Sequence, residues 1–428
     1  MKVTLVSYGS MGDNLPLVAL AVGLRSAGHQ PVLVAEQHAA DLAGSHQIEF
    51  HALAGDIDEL MRPGGAIALT VEAGRLTAAS MRGFRRADRA WLETITAAAT
   101  GSDVVVGMPV AGYHALTVAA DVGATPVIAE LQPLAPTSGF APAGLGVPRI
   151  PSFLNKSVGR LVDFAGWATI ARAINRARRE LNWQPSVNPT HGVLRLGGWS
   201  PTVVPRPDDW PPNAVVTGAW TLPNPPGWQP DPALQEFLDA GEPPIYVGFG
   251  SMPTFSGTRA LMEAVTAGLA GHRVLLTGAA TAAQSFVGRD VLAIGHVPHD
   301  WLLSRCAAVM HHCGAGTTHA AIASGTPSVP VPFTLDQPFW ASRLHSLGVA
   351  PPPLDPRRPN GEAVRAAVRF ATDSEVKRRA LTLAGQIGKE RGVDCAIKQL
   401  ERCTGQDSLG WATPARWLPD AEGESFGS

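Results

Sequence analysis

Short apolar runs, each closed by a glycine or polar turn and followed by a helical pattern, recur along the chain. Val3 to Ser7 reads as a buried strand, Gly9 to Asn14 as a glycine turn, and Leu15 to Arg25 as a helix with Pro16 in its first turn. Gly28 stops that helix and Gln30 to Ala35 begins a second strand, so the chain opens with a βαβ unit and hence a parallel, right-handed sheet. Asp103 to Gly107 and Thr125 to Ala129 extend the series, and Leu161 to Asn182 reads as a helix. Beyond a stretch crowded with proline, Val215 to Gly218, Pro244 to Phe249, Val274 to Thr277 and Val291 to Ile294 read as further strands. The densest pattern lies between 306 and 340. Ala307 to Met310 is an apolar run, His312 to Thr318 a turn of small residues, and Ala320 to Ser324 a helix that Gly325 can end. A second buried strand and a second polar turn follow, and Ser374 to Arg402 supplies one or two more helices.

These elements predict an α/β protein with two facing, Rossmann-like, doubly wound parallel sheets. The length supports this: 428 residues exceed one ordinary core and suggest two domains of about 200 residues. The expected boundaries are 1–213 for the first domain and 214–385 for the second, with proline-rich 201–244 as a stiff segment holding them apart. The polar tail 405–428, despite Trp411 and Trp417, is expected to be disordered. Only 16% of residues are charged and the net charge is −2, which disfavours a nucleic-acid partner. No run approaches 18 apolar residues, so no stable membrane insertion is expected. The four cysteines show no CxxC spacing, which fits a reducing cytoplasm. Oligomeric state is not legible.

The turn at 312–318 carries the chemistry. A strand feeding a helix through small residues lets the first unpaired N–H groups of that helix converge where its dipole is positive, which suits a phosphate. His312, Thr317 and Thr318 stand ready to complete an anion site. Asp336 and Gln337, one strand further on, suit the hydroxyls of a sugar. Phosphate beside polyol means a nucleotide sugar. Asp13, at the carboxyl end of the first strand, has two readings: a catalytic carboxylate, or an N-terminal helix carboxylate favoured by the dipole. The arginines between Met81 and Arg89 read as a solvated helix face, and Asp56-Ile57-Asp58 as a coincidental likeness to a metal-binding triplet. The Leu131 to Pro151 loop is expected to line an acceptor pocket.

His311-His312-Cys313-Gly314-Ala315-Gly316-Thr317-Thr318 followed by Asp336-Gln337 resembles the donor signature of inverting family 1 glycosyltransferases of the GT-B fold, bacterial natural-product and sterol-type branch. Gly295-His296-Val297-Pro298-His299, Val247-Gly248-Phe249-Gly250-Ser251 and Gly9-Ser10-Met11-Gly12-Asp13 extend the likeness over nearly the whole chain. The resemblance implies transfer of a hexose from a UDP- or dTDP-linked donor to a hydroxyl of an apolar natural product. It implies Asp13 as the base and Ser10 and Met11 on the acceptor side. On the donor side it implies Ser251 at the phosphates, Val297 offering its backbone to a pyrimidine, and His312 with the N–H groups of Gly314, Ala315, Gly316 and Thr317 on the leaving phosphate. Asp336 and Gln337 would hold the sugar, no metal would be needed, and the nucleotide sugar would serve as co-substrate without a further cofactor. A last helix, 386–404, would cross back to the first domain. Met11 stands where arginine is common, consistent with an uncharged aglycone, and Cys313 replaces a frequent glycine. The rival readings are a catalytically silent auxiliary protein of the same fold and a nicotinamide-dependent oxidoreductase.

Overall fold

The computed structural model describes residues 1–55, 87–146, 150–224, 227–250, 257–278 and 290–405. The first domain runs β1 (Lys2–Val6), α1 (Met11–Ser26), β2 (Gln30–Glu36), α2 (Ala40–Ser45), β3 (Glu49–Leu53) and α3 (Asp88–Ala99). It continues with β4 (Val104–Gly107), α4 (Pro109–Val122), β5 (Thr125–Glu130), α5 (Asn155–Glu180), β6 (Leu194–Gly197) and β7 (Ala214–Val216). The strands form one parallel sheet in the order β3-β2-β1-β4-β5-β6-β7.

The second domain contains α6 (Pro232–Asp239), β8 (Ile245–Gly248), α7 (Thr258–Gly268), β9 (Val274–Thr277), β10 (Val291–Ala293) and α8 (His299–Leu303). There follow β11 (Ala308–His311), α9 (Ala315–Ala323), β12 (Ser328–Pro330), α10 (Gln337–Ser346), α11 (Gly361–Ala371), α12 (Ser374–Ile387) and α13 (Gly392–Thr404). Its parallel sheet has the order β10-β9-β8-β11-β12. The chain is thus the expected pair of doubly wound α/β domains.

Alternation along the strands fills both faces of each sheet, which is why these strands read as apolar runs. In the first domain Leu5, Leu33, Val104 and Val106 pack under α1 and α13, while Val6, Val32, Val34 and Val105 pack under α3 and α4. In the second, Ile245, Val247 and Met310 meet α7 and α11, while Tyr246, Leu275 and Val309 meet α6, α8 and α9. Helix α13 belongs to the first domain's core: Ala396, Ile397 and Leu400 are buried against α1.

Three expectations change. Val215 and Val216 do not restart the pattern for the second domain; β7 pairs with β6 and completes the first sheet, so the boundary expected at 213/214 falls after this strand. Pairing partners of a parallel strand are distant in sequence, and a short apolar run does not say which sheet it joins. The proline-rich region is also no mere spacer. Trp199, Val203, Val204 and Trp210 share one core with Phe339, Trp340 and Leu344 of the second domain, and Arg343 donates to the Val203 carbonyl at 2.6 and 3.1 Å. Finally, part of the Leu131 to Pro151 loop is built into that core. Ala135 and Ala143 are buried there, and Phe140 packs edge-on to Trp210 and Phe339. Asp56 and Asp58, Arg82 to Arg86 and the tail from 406 lie outside the described residues. Among the described residues no helix is long and apolar enough to cross a membrane.

Candidate active site

Open parallel sheets bind ligands beyond the carboxyl ends of the strands where the winding direction reverses. In the first sheet that point lies between β1 and β4, since β1 pairs with β2 on one side and β4 on the other. In the second it lies between β8 and β11. The turn after β1 carries Ser10, Met11 and Asp13. The turn after β11 carries His312 to Thr317. Both candidate turns therefore sit at switch points.

On the first domain, Ser10 caps α1 and Asp13 closes a capping box. The Ser10 N–H and hydroxyl donate to Asp13 Oδ2 at 2.8 and 3.1 Å. Desolvation raises the Asp13 pKa above the ordinary carboxylate range, opposed by the Ser10 hydrogen bonds and by His38. A methyl group on Gly9 would land on the Asp13 carboxylate, so only glycine leaves room for this arrangement. The helix-cap reading of Asp13 is thus realised, and the cap fixes the carboxylate at the switch point of the first sheet. Met11 is exposed, on the first turn of α1.

On the second domain, α9 begins at Gly314 with no side-chain cap. The N–H groups of Gly314, Ala315, Gly316 and Thr317 have no intrahelical partner, which is the anion-binding state of a helix terminus. The contrast with the boxed terminus of α1 is chemical: one end is closed by a carboxylate, the other is open to an anion. His312 lies between Gly250 and Gly314, both of which must be small to admit the ring. Its Nδ1 is buried without a hydrogen-bond partner. Burial lowers its pKa to about 4, with the Gly248 backbone opposing, which favours the neutral ring. His311 is occupied by the fold: Nδ1 accepts from the Cys313 N–H at 3.2 Å and Nε2 pairs with Ser328 Oγ at 3.0 Å.

Two non-glycine residues here adopt left-handed backbone, Cys313 (φ 65°) and Leu335 (φ 55°), one in each donor-side turn. Leu335 delivers Asp336, whose Oδ2 accepts from Trp340 Nε1 at 2.9 Å. Burial raises Asp336 to about 6; the Trp340 hydrogen bond opposes this and the charge of Asp13 adds to it. Asp13 lies in the first domain and Asp336 in the loop after β12 of the second, so this like-charge effect runs between the domains. Gln337 is buried, and its Oε1 accepts from the Phe333 and Thr334 N–H groups at 2.8 and 3.2 Å, so its carbonyl shapes the loop. Val297 lies partly buried between β10 and α8. Ser251 lies outside the described residues.

Sequence reasoning missed the residues behind these turns. Glu36 ends β2 and is 1% exposed; Asn14 is fully buried and donates to the Gly9 carbonyl at 3.3 Å, with His38 Nε2 at 3.1 Å. His319 of α9 accepts from the Ser200 N–H at 3.1 Å, and the Ser200 and Thr202 hydroxyls donate to Glu390 at 2.7 and 2.8 Å. None of these sits in a recognisable spacing; only the buried polar residue at the end of an apolar run was available as a signal.

Two doubly wound domains, with an uncapped helix terminus on one and a desolvated carboxylate on the other, define the class of a GT-B sugar-transferring enzyme. A family model described as the erythromycin biosynthesis protein CIII-like, C-terminal domain, matches residues 264–388. Over 423 residues the chain is 34% identical to O-mycaminosyltylonolide 6-deoxyallosyltransferase of Streptomyces fradiae, covering 94% of this chain and 97% of that one. It is 30% identical over 423 residues to a sterol 3-beta-glucosyltransferase of Arabidopsis thaliana, covering 94% and 68%. The solved structure of the glycosyltransferase VinC in complex with dTDP superposes with a TM-score of 0.65 at 18% identity, covering 94% and 99%. The chain belongs to the family 1 glycosyltransferases of the GT-B fold.

Proposed function

We propose that the protein transfers a hexose, with inversion, from a dTDP- or UDP-linked donor to a hydroxyl of an apolar small-molecule natural product. The observation that supports this reading is that Ala315, the first residue of α9, packs against the first domain's core, which sets the open helix terminus of the second domain beside α1 of the first. The macrolide and sterol acceptors in the relatives' names and the dTDP bound by VinC support the substrate classes.

In this mechanism the acceptor oxygen attacks the anomeric carbon opposite the nucleotide while Asp13 takes the hydroxyl proton. Desolvation makes Asp13 a stronger base than a solvated aspartate near 3.9. The bond to the β-phosphate breaks as the new glycosidic bond forms. Neutral His312 and the N–H groups at the start of α9 stabilise the departing charge, each donor contributing on the order of 2.7–4 kcal/mol. Ser251 joins at the phosphates, the Val297 backbone at the pyrimidine, and Asp336 with Gln337 at the sugar. Met11 and Ser10 border the acceptor. These groups do the work without a metal, so transfer is expected to survive EDTA.

The test is a panel of α-linked dTDP- and UDP-hexoses with macrolide, sterol, flavonoid and glycopeptide acceptors, the product anomer being read by proton NMR. A β-linked product is expected. An α-linked product would overturn inversion; nucleotide-sugar binding without turnover on any acceptor would favour the silent auxiliary protein, and nicotinamide binding the oxidoreductase.

A further inference from the structure

His319 stands one turn into α9, 5% exposed, and both nitrogens of its ring are engaged. Nδ1 donates to the Ala315 carbonyl at 2.8 Å, and Nε2 accepts from the Ser200 N–H at 3.1 Å. The two contacts require the same neutral tautomer, with its proton on Nδ1 and a lone pair on Nε2; an imidazolium would set one N–H against another. Burial, which holds the His319 pKa below the ordinary range against the Ala315 bond and the charge of Glu390, favours that same form. A histidine kept only to fill space would need neither bond.

On one side, the neighbours of this ring lead to groups that the proposed mechanism uses. Ala315 is the first residue of α9, and its carbonyl shares one planar peptide with the Gly316 N–H. The carbonyl and N–H of a trans peptide point in opposite directions, so a bond that holds the first aims the second out of the helix terminus. The ring also packs edge-on to Trp340, with centroids 5.1 Å apart, and the Trp340 indole N–H donates to Asp336 at 2.9 Å. On the other side lies the first domain. Ser200 follows β6 and is fully buried, and its hydroxyl donates to Glu390 Oε1 at 2.7 Å beside a second bond from the Thr202 hydroxyl at 2.8 Å. Glu390 precedes α13, where the chain returns to the first domain. A side chain on Gly218, which leaves the first sheet, would meet the Gly392 Cα at 2.8 Å and the Glu390 Cβ at 3.7 Å, so the outgoing and returning crossings touch at this carboxylate.

We propose that His319 is a positioning residue for the transfer reaction: it fastens the first turn of α9 and the Trp340 partner of Asp336 to Ser200 of the first domain, and so sets where the donor stands relative to the acceptor. The inference rests on the reading of the α9 terminus as the phosphate site. Both ring nitrogens are occupied, so His319 acts through Ala315 and Ser200 rather than on a substrate. The first-domain end of the link is itself tied down, because Ser200 is bonded to Glu390 at the crossing. Loss of the Ser200 bond leaves the donor-binding groups of the second domain together and lets them shift as a body relative to the first, which costs rate rather than nucleotide affinity.

The experiment compares His319→Phe, which keeps a ring against Trp340 and makes neither hydrogen bond, with His319→Gln, whose amide oxygen reaches as far as Nε2 and can accept from Ser200. Turnover is measured on the donor and acceptor identified by the panel, and dTDP and UDP affinity by calorimetry. His319→Phe is expected to lose about 10- to 100-fold in kcat, with donor KM and nucleotide affinity within about threefold of wild type, and His319→Gln to recover kcat to within about threefold. A folded His319→Phe with wild-type kcat would overturn the proposal, as would a loss that His319→Gln does not recover or one matched by an equal loss of nucleotide affinity. Should the phenylalanine variant fail to fold, His319→Asn, long enough for Ala315 and too short for Ser200, repeats the test with the same expectation. Nitrogen-15 NMR of the wild-type imidazole is expected to show the Nδ1–H tautomer with a scalar coupling from the Ser200 amide to Nε2; an Nε2–H tautomer or an imidazolium at pH 7 would overturn the link. This arm needs no substrate, so a wild-type protein inactive across the whole panel would sink the proposed function while the spectrum still decides the link.

Discussion

Asp13 shows how one side chain serves structure and chemistry through the same contacts. Its Oδ2 closes the cap of α1, and in the proposed mechanism that restraint leaves Oδ1 to take the acceptor's proton. Gly9→Ala is therefore expected to displace the carboxylate and lower kcat by about 100-fold, the scale of misplacing a catalytic group by an ångström, with nucleotide affinity unchanged by calorimetry. The charge of Asp13 adds to the raised pKa of Asp336, so Asp13→Asn should lower the pH at which the Asp336 carboxyl titrates by carbon-13 NMR. Glu36 has a stability signature as well. Its pKa is raised from 4.5 to about 7, so the fold favours the protonated form; that advantage is complete below about 4.5 and is lost as pH rises through 7, at a cost of about 3 kcal/mol. Glu36→Gln should accordingly raise Tm at pH 8 more than at pH 5. At this scale the sequence singled out Asp13 and His312 because each stands where a buried strand gives way to a helix beside glycines. It was silent on Glu36, which ends an apolar run like any surface carboxylate and differs only in what packs over it.

At the scale of elements, the proposed anion site is a property of α9 rather than of any side chain. Gly314 has extended backbone (φ −62°, ψ 149°), which suits the residue before a proline. Ala315→Pro should keep the helix, since proline is tolerated in the first turn, and delete one N–H from the phosphate cradle. Losing one charge-assisted hydrogen bond costs about 1.5–3 kcal/mol, or roughly 10- to 150-fold weaker nucleotide-diphosphate binding by calorimetry. Unchanged affinity would place the phosphates elsewhere. The opening βαβ unit and the strand, turn and helix at 306–325 were legible because their periodicity changes within a few residues. β6 and β7 were harder. Each is three or four residues long, and β7 follows two prolines, so local pattern could not assign it to the first sheet.

The whole molecule is held together by two features. Trp199, Trp210, Phe339 and Trp340 form a core shared by both domains, and α13 returns to cover the first. Leu400→Ala, in a fully buried position, should cost about 2–5 kcal/mol in chemical denaturation. Because the domains share buried contacts, wild-type protein is expected to unfold in one calorimetric transition, and two separate transitions would show that the interface contributes little. The proline content of 201–244 suggested separation because composition reports local stiffness. It does not report that Trp199, just before the segment, and Trp210, within it, are buried in a core shared with the other domain.

The claim on which the account turns is that Asp13 accepts the proton of a sugar acceptor held opposite the helix terminus of the second domain. Its most direct test is transfer by Asp13→Asn measured beside nucleotide-diphosphate affinity by calorimetry. The account predicts affinity within about twofold of wild type and transfer reduced by at least about 1,000-fold, the upper scale of a lost general base. Transfer at the wild-type rate with affinity intact would contradict it.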